Sequence, residues 1–290
     1  MSTDDDHADE KAELAELLAD SVSRPSAARV YDYLIGGGHC FAVDREFAET
    51  KLRPLLPRIG DYAAENRLWM ARVVRWAVGQ GYRQFVDIGS GLPSAGNVHE
   101  IADETRPERD VTVVYIDNEP VAHAHGQLIL EENGDRQRHV ALRADLLDSR
   151  GLWRQVEESG LIDLGKPVVL LVAAVLHFVK DSRDPDVHLA YYRDQLPGGS
   201  LLVLSTMTNE NPTSEEEAEA LRRLVAFYEE TTNPGQLRTH DEFVRFFGDW
   251  PLFDPGLVYV PNWYPDGNTR FSDEPSAARI LGGVARKPSN

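Results

Sequence analysis

A carboxylate and two glycines follow one another closely where a short apolar run ends. In F-V-D-I-G-S-G-L-P, Asp87 stands two residues before Gly89 and four before Gly91. Glycine allows unusual backbone angles and a close approach between backbone and ligand. A helix that begins at Pro93 would add free N–H groups and a positive dipole end, which favour an anionic group. The pattern predicts a cofactor that lies against the backbone at this turn.

Two classes of cofactor fit such a turn. A dinucleotide site expects G-x-G-x-x-G, but Ser94 stands at the third glycine position and Gly96 comes two residues late. The alternative pattern needs an acid two residues before the first glycine, and Asp87 satisfies it. D-x-G-x-G after the first strand resembles motif I of class I methyltransferases, which bind S-adenosylmethionine (SAM) and release S-adenosylhomocysteine (SAH).

The ends of the next two predicted strands carry further acids. The second predicted strand ends at Asp117, in V-V-Y-I-D-N-E-P, and its carboxylate can accept hydrogen bonds from both ribose hydroxyls. Asn118 beside it is a further cofactor-binding candidate and could instead cap the helix. An Asx turn or helix cap before Pro120 is the structural alternative for Asp117. In the methyltransferase pattern, Asp145 accepts a hydrogen bond from the adenine amino group while Leu146 packs on the ring.

Two other functions stay open. NAD sites also use an acid at the end of the second strand, so Asp117 does not decide between NAD and SAM. Short-chain dehydrogenases need Tyr four residues before Lys, however, and none of the five lysines has one. The sequence therefore favours SAM. A protein that binds SAM or SAH as a sensor, without catalysing transfer, is the second alternative, because no nucleophile-activating set of residues excludes it.

The fourth predicted strand ends in A-A-V-L-H-F, where class I methyltransferases line the methyl-transfer site. Ala173 is expected at that site, and His177 is the predicted base for a hydroxyl or amine acceptor. A histidine that caps the strand end or packs beneath the pocket is the structural alternative. His123 and His125, two apart on a predicted helix, face different directions. No metal site is predicted.

Residues 29 to 44 form a candidate lid. Tyr31 and Tyr33 precede three glycines, which indicates a helix end, a flexible turn and a return. We expect this segment to fold over the cofactor and to supply part of the acceptor pocket, with Arg29 on the methionine carboxylate and His39 in the turn. A plain helical arm with its tyrosines in the core is the alternative.

From residue 85 on, five apolar runs of strand length alternate with helical patterns. Several are apolar on both faces, which is typical of a parallel sheet covered by helices on each side. The runs are F-V-D-I, V-T-V-V-Y-I, R-H-V-A-L-R, P-V-V-L-L-V-A-A and S-L-L-V-L-S. Two later runs, G-L-V-Y-V and A-R-I-L-G-G-V-A, predict an antiparallel final hairpin at one sheet edge. Residues 1–80 are expected to form a helical N-terminal extension on a core of residues 81–290, within a single α/β domain.

Helix positions are marked by spacing and by caps. Apolar residues recur at helical spacing from Leu14 to Val22, after an acidic start of about 12 residues that we expect to be disordered, and again from Trp69 to Trp76. Three prolines suit first helical positions, and Thr or Ser followed by Glu fits capping boxes. These markers are Pro93, Pro120, Pro185, Thr213, Ser214 and Thr239.

Composition limits the partners. The 290 residues carry a formal net charge of −18 with a sequence pI of about 4.9, so the surface repels phosphate backbones and anionic lipid. The single cysteine, Cys40, allows no internal disulfide and suits a reducing compartment. The first residues lack the basic and apolar regions of a signal peptide. We expect a cytoplasmic protein that acts on a small molecule and binds neither nucleic acid nor membrane.

The chain as a whole resembles the actinobacterial S-adenosyl methyltransferase family, which was first catalogued as a domain of unknown function. The matching stretches are P-S-A-A-R-V-Y-D-Y-L-I-G-G-G, F-A-V-D-R, Q-F-V-D-I-G-S-G-L-P-S-A-G-N-V-H-E, V-V-Y-I-D-N-E-P, L-L-V-A-A-V-L-H-F-V and G-S-L-L-V-L-S. The resemblance covers roughly residues 25 to 290.

This resemblance implies a doubly wound, Rossmann-like α/β fold, with a seven-stranded, mostly parallel sheet whose last strand is antiparallel and with a helical N-terminal extension. It implies a SAM-dependent methyltransferase but supplies no acceptor. Where the family commonly has G-G-K-D-N-F, this chain has G-G-G-H-C-F, so that Gly38, His39 and Cys40 replace Lys, Asp and Asn.

Overall fold

Seven strands form one mixed sheet in the computed structural model of the protein, which describes residues 22–93, 96–132 and 135–289. They are β1 (Gln84–Ile88), β2 (Thr112–Asp117), β3 (His139–Arg143), β4 (Val169–Ala173), β5 (Leu201–Met207), β6 (Val258–Tyr259) and β7 (Ile280–Arg286). Their order is β3-β2-β1-β4-β5-β7-β6. β1 to β5 are parallel, and β7 is antiparallel to both β5 and β6. The predicted parallel runs and final hairpin are confirmed.

Helices cover both faces of this sheet. They are α1 (Ala27–Leu34), α2 (Ala42–Phe47), α3 (Ile59–Gly79), α4 (Val98–Thr105), α5 (Pro120–Glu132), α6 (Ser149–Glu158), α7 (Pro185–Gln195), α8 (Glu215–Tyr228) and α9 (His240–Val244). A π-helical turn, Ala48–Leu52, and an α-helical turn, Arg53–Leu55, follow α2. The predicted starts at Pro120 and Pro185 are confirmed, and so is the Thr239 cap.

Alternate residues of the strands enter two apolar layers. In β4, Val169 and Leu171 face a layer that includes α3, α4 and α8, whereas Leu170 and Val172 face a layer with α6, α7 and α9. Because both faces are buried, these strands have no polar alternation, as the apolar runs indicated. The two layers fix the sheet and therefore the position of every strand end.

The chain before β1 packs on the first of these layers. Trp69 and Val73 on α3 are fully buried there, together with Val30 of α1, so the predicted helix around Trp69 is confirmed. The acidic start and the Leu14 to Leu18 pattern lie outside the described residues. No helix in the described part of the chain is both long and apolar enough to cross a membrane.

Candidate functional site

A cavity of about 460 Å³ lies at the carboxyl ends of the parallel strands. β1 has β2 on one side and β4 on the other, so the strand order reverses here. Open parallel sheets bind ligands at such a point. The loops after β1, β2, β3 and β4 line the cavity together with α1 and α3. The fold thus brings the predicted strand-end residues together in one space.

The turn after β1 has the backbone that its glycines suggested. Gly89 and Gly91 have φ angles of +73° and +67°. A Cβ atom on Gly89 would lie 2.2 Å from Cγ2 of Val175, whereas a Cβ atom on Gly91 would meet nothing within 4 Å. Gly91 N donates to Asp117 Oδ2 at 2.8 Å, which ties the turn to the end of β2. Both glycines line the cavity, but only Gly89 is also required by packing.

The helix start predicted at Pro93 is wrong. Pro93 lies in the loop, and α4 begins at Val98 with Asn97 as its N-cap. Glu100 Oε2 accepts hydrogen bonds from Gly96 N and Asn97 N, each at 2.9 Å. A carboxylate of the protein itself therefore occupies the two amides that precede this helix. Glu100 therefore occupies the position that the sequence analysis predicted for an anionic group of the ligand.

Asp87 is a buried carboxyl group at the end of β1 that lines the cavity. Burial raises its pKa to about 7, the nearby Arg67 guanidinium opposes this rise, and the neighbouring Asp117 adds to it. The charged and neutral forms are therefore both populated near neutral pH. A cationic group in the cavity would favour the ionised form.

Asp117 forms the turn that the sequence offered as its structural alternative and also lies in the cavity lining. Its Oδ1 accepts from Glu119 N at 2.9 Å in an Asx turn, its Oδ2 accepts from Gly91 N, and the side chain also lines the cavity. Burial raises its pKa to about 6, against the effect of these backbone hydrogen bonds. Each carboxylate oxygen retains a lone pair for a further donor.

The residues predicted at the adenine end lie side by side along the cavity. Asn118 Nδ2 is 3.5 Å from Asp145 Oδ2, and Asp145 Oδ1 accepts from Leu147 N at 2.8 Å. Leu146 is buried, and its carbonyl accepts from the Tyr192 hydroxyl at 2.7 Å. The acid and the apolar side chain are thus fixed next to each other by separate hydrogen bonds.

The end of β4 separates the two residues predicted at the methyl-transfer site. Ala173 lines the large cavity, but His177 lines a smaller neighbouring pocket. Nδ1 of His177 accepts from Met207 N at 3.2 Å, and burial, with a contribution from Arg238, lowers the pKa of His177 to about 3. A neutral His177 thus carries its proton on Nε2 and has no free ring nitrogen to accept another. The geometry corrects the prediction that His177 acts as a base.

Arg29 does not reach the cavity. Its fully buried guanidinium contacts Asp44 Oδ2 at 2.7 Å and Glu119 Oε1 at 2.6 Å, and it donates to Arg24 O at 2.9 Å. This corrects the predicted contact with a methionine carboxylate. Arg29 instead fastens α1 both to the start of α2 and to the loop after β2. The ion pairs join segments that are 15 and 90 residues apart.

The two tyrosines of the candidate lid have different positions. Tyr31 lines the cavity, and its hydroxyl donates to Ala63 O at 2.8 Å and accepts from Asn66 Nδ2 at 3.2 Å. Tyr33 faces away from the cavity, and its hydroxyl donates to Glu49 Oε1 at 2.8 Å near the surface. Tyr31 is therefore in a position from which it could contact a ligand, and its role stays a prediction, whereas the position of Tyr33 contradicts a role in the pocket.

His39 also lies outside the cavity lining, but it leads to a residue that the sequence analysis missed. His39 N donates to Asp32 Oδ2 at 2.9 Å, and the His39 ring lies 4.6 Å from that of His125. Asp32 is 2% exposed and lines the cavity, and its Oδ1 has no hydrogen-bond partner among the described residues. No group of side chains in the described ranges could hold a metal ion.

Three cationic residues of the cavity were also missed: Arg67 on α3, and Lys180 and Arg183 after β4. Arg67 stands in a helix with no local motif, so nothing in the sequence marked it. Lys180 and Arg183 follow the fourth strand, and this position near a strand end could have indicated that they belong to the site. They provide positive charge in a cavity whose motif residues are mostly acidic.

Comparisons with known proteins agree with this geometry. Residues 16–288 match the family model described as S-adenosyl methyltransferase. A DUF574 family protein from Streptomyces avermitilis superposes with a TM-score of 0.83 at 34% identity, covering 92% of this chain and 99% of that one. A protein from Thermobifida fusca, classed as a candidate methyltransferase, gives 0.82 at 31% identity, covering 93% and 98%.

More distant comparisons add only the fold. An O-methyltransferase family protein from Burkholderia thailandensis has 16% identity and a TM-score of 0.51, covering 97% of this chain and 69% of that one. No curated protein matches the chain. The family match decides the cofactor in favour of SAM over NAD.

Proposed function

Since the chain belongs to the S-adenosyl methyltransferase family and is a SAM-dependent methyltransferase, we propose that its acceptor is a small molecule that meets the methyl group inside the large cavity. The observation that carries this proposal is that Asp87, Asp117 and Asp145, from three strand ends, line one cavity. Its volume of about 460 Å³ lies in the range of small-molecule sites.

The nucleoside end of the cofactor fits the residues after β2 and β3. We assign Asp117 and Asn118 to the ribose hydroxyls, because Asp117 is held by backbone amides and keeps lone pairs toward the cavity. Asp145 is assigned to the adenine amino group and Leu146 to the ring face, which accords with their adjacent positions in the lining.

The amino-acid end fits the turn after β1. Asp87 is assigned to the methionine ammonium group, since a buried carboxyl with a raised pKa is stabilised in its charged form by a cation. Arg67, which is close enough to Asp87 to affect its pKa, is assigned to the methionine carboxylate. Gly91 leaves room for the tail against the backbone, whereas the side chain of Val175 packs where a Cβ atom of Gly89 would lie.

When bound, SAM supplies an electrophilic methyl group beside its sulfonium, and SAH remains as the product. The residues of this chain align the acceptor and exclude water, which is the main requirement of an in-line displacement. Ala173 lines the methyl-transfer end. Asp32 Oδ1, buried in the lining and without a hydrogen-bond partner among the described residues, is assigned to receive the proton that a hydroxyl or amine acceptor loses.

The N-terminal extension is proposed as the cover of this site. Within residues 1–80, α1 places Tyr31 and Asp32 in the cavity lining. The ion pairs of Arg29 with Asp44 and Glu119 hold α1 in position. A cover fixed by buried ion pairs keeps water away from the reacting atoms without a large closing movement.

The expected partners follow from charge, since a net charge of −18 disfavours nucleic acid and anionic membrane surfaces. The proposed cytoplasmic location instead rests on the single cysteine, which suits a reducing compartment. We therefore propose a cytoplasmic enzyme of small-molecule metabolism.

Calorimetric titration with SAM, SAH and NAD, followed by turnover of methyl-labelled SAM against a metabolite extract, tests this function. We expect SAM and SAH to bind, NAD to fail, and label to enter a low-molecular-weight product. An enzyme that labels only macromolecules would overturn the small-molecule acceptor. Binding of SAM without any transfer would favour a sensor.

A further inference from the structure

A second pocket, of about 60 Å³, lies beside the large cavity. The two share lining residues at their junction: Ala27, Tyr31, Ala174 and Phe178. The small pocket extends from this junction between α1, the start of α3 and α8. A ligand that enters it therefore lies next to the end of β4, where Ala173 marks the proposed methyl-transfer site.

The lining of this apolar pocket is uncharged. Among the residues that the structure describes, its wall contains no Asp, Glu, Lys or Arg side chain. Aromatic rings of Tyr31, Tyr62, Phe178 and Tyr228 contribute, with aliphatic side chains such as Leu224. An ionised group placed here would lose its hydration without gaining a counter-ion. The pocket thus selects a neutral, apolar group.

The volume limits what enters. An engineered apolar cavity of about 150 Å³ holds a whole benzene molecule, and this pocket has about 60 Å³. It has room for only part of such a ring, and the rest of the molecule must lie in the large cavity beyond Ala174. A ligand of this shape spans both spaces.

His177 gives the pocket one directional polar group. Its Nδ1 is occupied by the Met207 amide, so the proton of the neutral ring lies on Nε2. Nε2 has no hydrogen-bond partner among the described residues. His177 can therefore donate one hydrogen bond to an oxygen of a ligand in the pocket.

The junction between the spaces is held rigidly. Ala174 has a φ angle of +56°, an uncommon conformation for a residue with a side chain. Its N–H donates to Ser205 O at 3.1 Å and to Ser205 Oγ at 3.0 Å, and Ser205 Oγ donates to Asn66 Oδ1 at 2.6 Å. Asn66 in turn donates to the Tyr31 hydroxyl. This chain of hydrogen bonds fixes the passage that a ligand must span.

We propose that the acceptor is a neutral, planar aromatic molecule whose ring edge occupies the apolar pocket and whose oxygen accepts a hydrogen bond from His177 Nε2. The inference rests on the proposed small-molecule methyltransferase function and names the class of its substrate. His177 is then an acceptor-binding residue and not a base.

Binding of 2-naphthol to the SAH-saturated enzyme, measured by saturation-transfer NMR and titration, tests the pocket. Val225 on α8 lines it, whereas the next residue, Ala226, is exposed. Val225→Phe should weaken 2-naphthol at least about tenfold by filling the space, and Ala226→Phe should leave it unchanged. Both variants should bind SAH as the wild type does. Equal 2-naphthol affinity in the two variants, or none in the wild type, would overturn the proposal.

A second experiment tests the preference for a neutral ligand and the hydrogen bond from His177. The anionic analogue 6-hydroxy-2-naphthoate should bind about tenfold more weakly than 2-naphthol. His177→Asn, whose amide oxygen can still accept from Met207 N, should lose several-fold in 2-naphthol affinity but keep SAH binding, and His177→Gln should recover part of the loss. Preference for the anion, or an unaffected His177→Asn, would contradict the assignment. Failure of the wild type to bind SAH would instead refute the proposed function itself.

Discussion

The large cavity collects charge, whereas the apolar pocket that meets it at Tyr31, Ala174 and Phe178 carries none among the described residues. The first is built from loops after parallel strands, where backbone amides hold carboxylates in place. The second is built from helix faces that bury apolar side chains. The cavity is thus suited to a charged nucleoside, and the pocket is suited to a flat neutral ring.

This contrast separates the residues proposed to recognise the cofactor from those proposed to recognise the acceptor. In the proposed site, directional hydrogen bonds from strand ends recognise the cofactor, and other members of such a fold can supply them in the same way. The proposed acceptor is recognised by the shape of a space between helices, which a single larger side chain changes. Four experiments test this difference between the two spaces.

Removing the Arg29 anchor should have the largest effect, because α1 is a wall of both spaces. Arg29→Met leaves the carboxylates of Asp44 and Glu119 buried without their cation. We expect a loss of about 3–5 kcal/mol in the free energy of unfolding, measured by urea denaturation. Arg45→Met is the control, because Arg45 is exposed, and it should change stability by less than about 0.5 kcal/mol. A loss below about 1 kcal/mol in Arg29→Met would mean that the anchor is not needed.

Substitution of the glycine turn should affect only the charged cavity. Gly89→Ala combines a positive φ angle with a contact of 2.2 Å to Val175 Cγ2, whereas Gly91→Ala has the φ angle alone. The backbone term costs about 1–2 kcal/mol in each, so we expect SAM affinity to fall more than about tenfold in Gly89→Ala and less in Gly91→Ala. Calorimetry measures both. The double variant Gly89→Ala with Val175→Ala should recover part of the loss, and equal effects of the two single variants would contradict the packing argument.

SAM affinity should depend on pH through the cavity acids. Burial raises the pKa of Asp87 to about 7 and that of Asp117 to about 6. The methionine ammonium group favours the ionised form of Asp87, and hydrogen bonds from the ribose hydroxyls favour that of Asp117, so binding lowers both pKa values and releases protons. Affinity is then full above about pH 8 and is lost as pH falls through the pKa values of the free enzyme, by roughly tenfold between pH 8 and pH 5.5. Calorimetry in buffers of different ionisation enthalpy measures the released protons.

The matched control for this pH effect is Asp87→Asn, which should bind SAM more weakly and with a flatter pH profile. A wild-type affinity that is constant from pH 5.5 to pH 8 would show that Asp87 does not meet the ammonium group and that Asp117 does not bind the ribose. The apolar pocket provides an internal contrast, since 2-naphthol remains neutral over this range and its binding should not follow the same profile.

The smallest effect is expected at the two tyrosines. Tyr31→Phe removes the hydroxyl that bonds to Ala63 O and Asn66 at the junction, and a neutral hydrogen bond contributes about 1 kcal/mol. We expect kcat/KM for the acceptor to fall several-fold. Tyr33→Phe removes a contact with Glu49 near the surface and should have no effect. Unchanged SAM binding and turnover in Tyr31→Phe would remove α1 from the proposed site.

The strand ends show how much of the candidate site could be predicted from the sequence. Asp87, Asp117 and Asp145 each follow an apolar run, and their meeting in one cavity required only that the runs be parallel neighbours. Pro93 illustrates a local error, because a proline that suits a helix start also suits a loop. Arg29 and His177 illustrate a different error, since the partners that occupy their nitrogens, Glu119 and Met207, lie 90 and 30 residues away.

The sheet, the glycine turn and the strand-end acids of the proposed cofactor site could be predicted from the sequence alone, because periodicity and strand-end position are local properties of the chain. Tertiary structure alone decided the apolar pocket, whose walls come from residues near 30, 60, 177, 225, 237 and 280, the ion pairs of Arg29, and the positions of Arg67 and Asp32 in the cavity lining. These features depend on which groups meet across the fold. No local pattern records such a meeting, since burial and partner are set only when distant segments pack together.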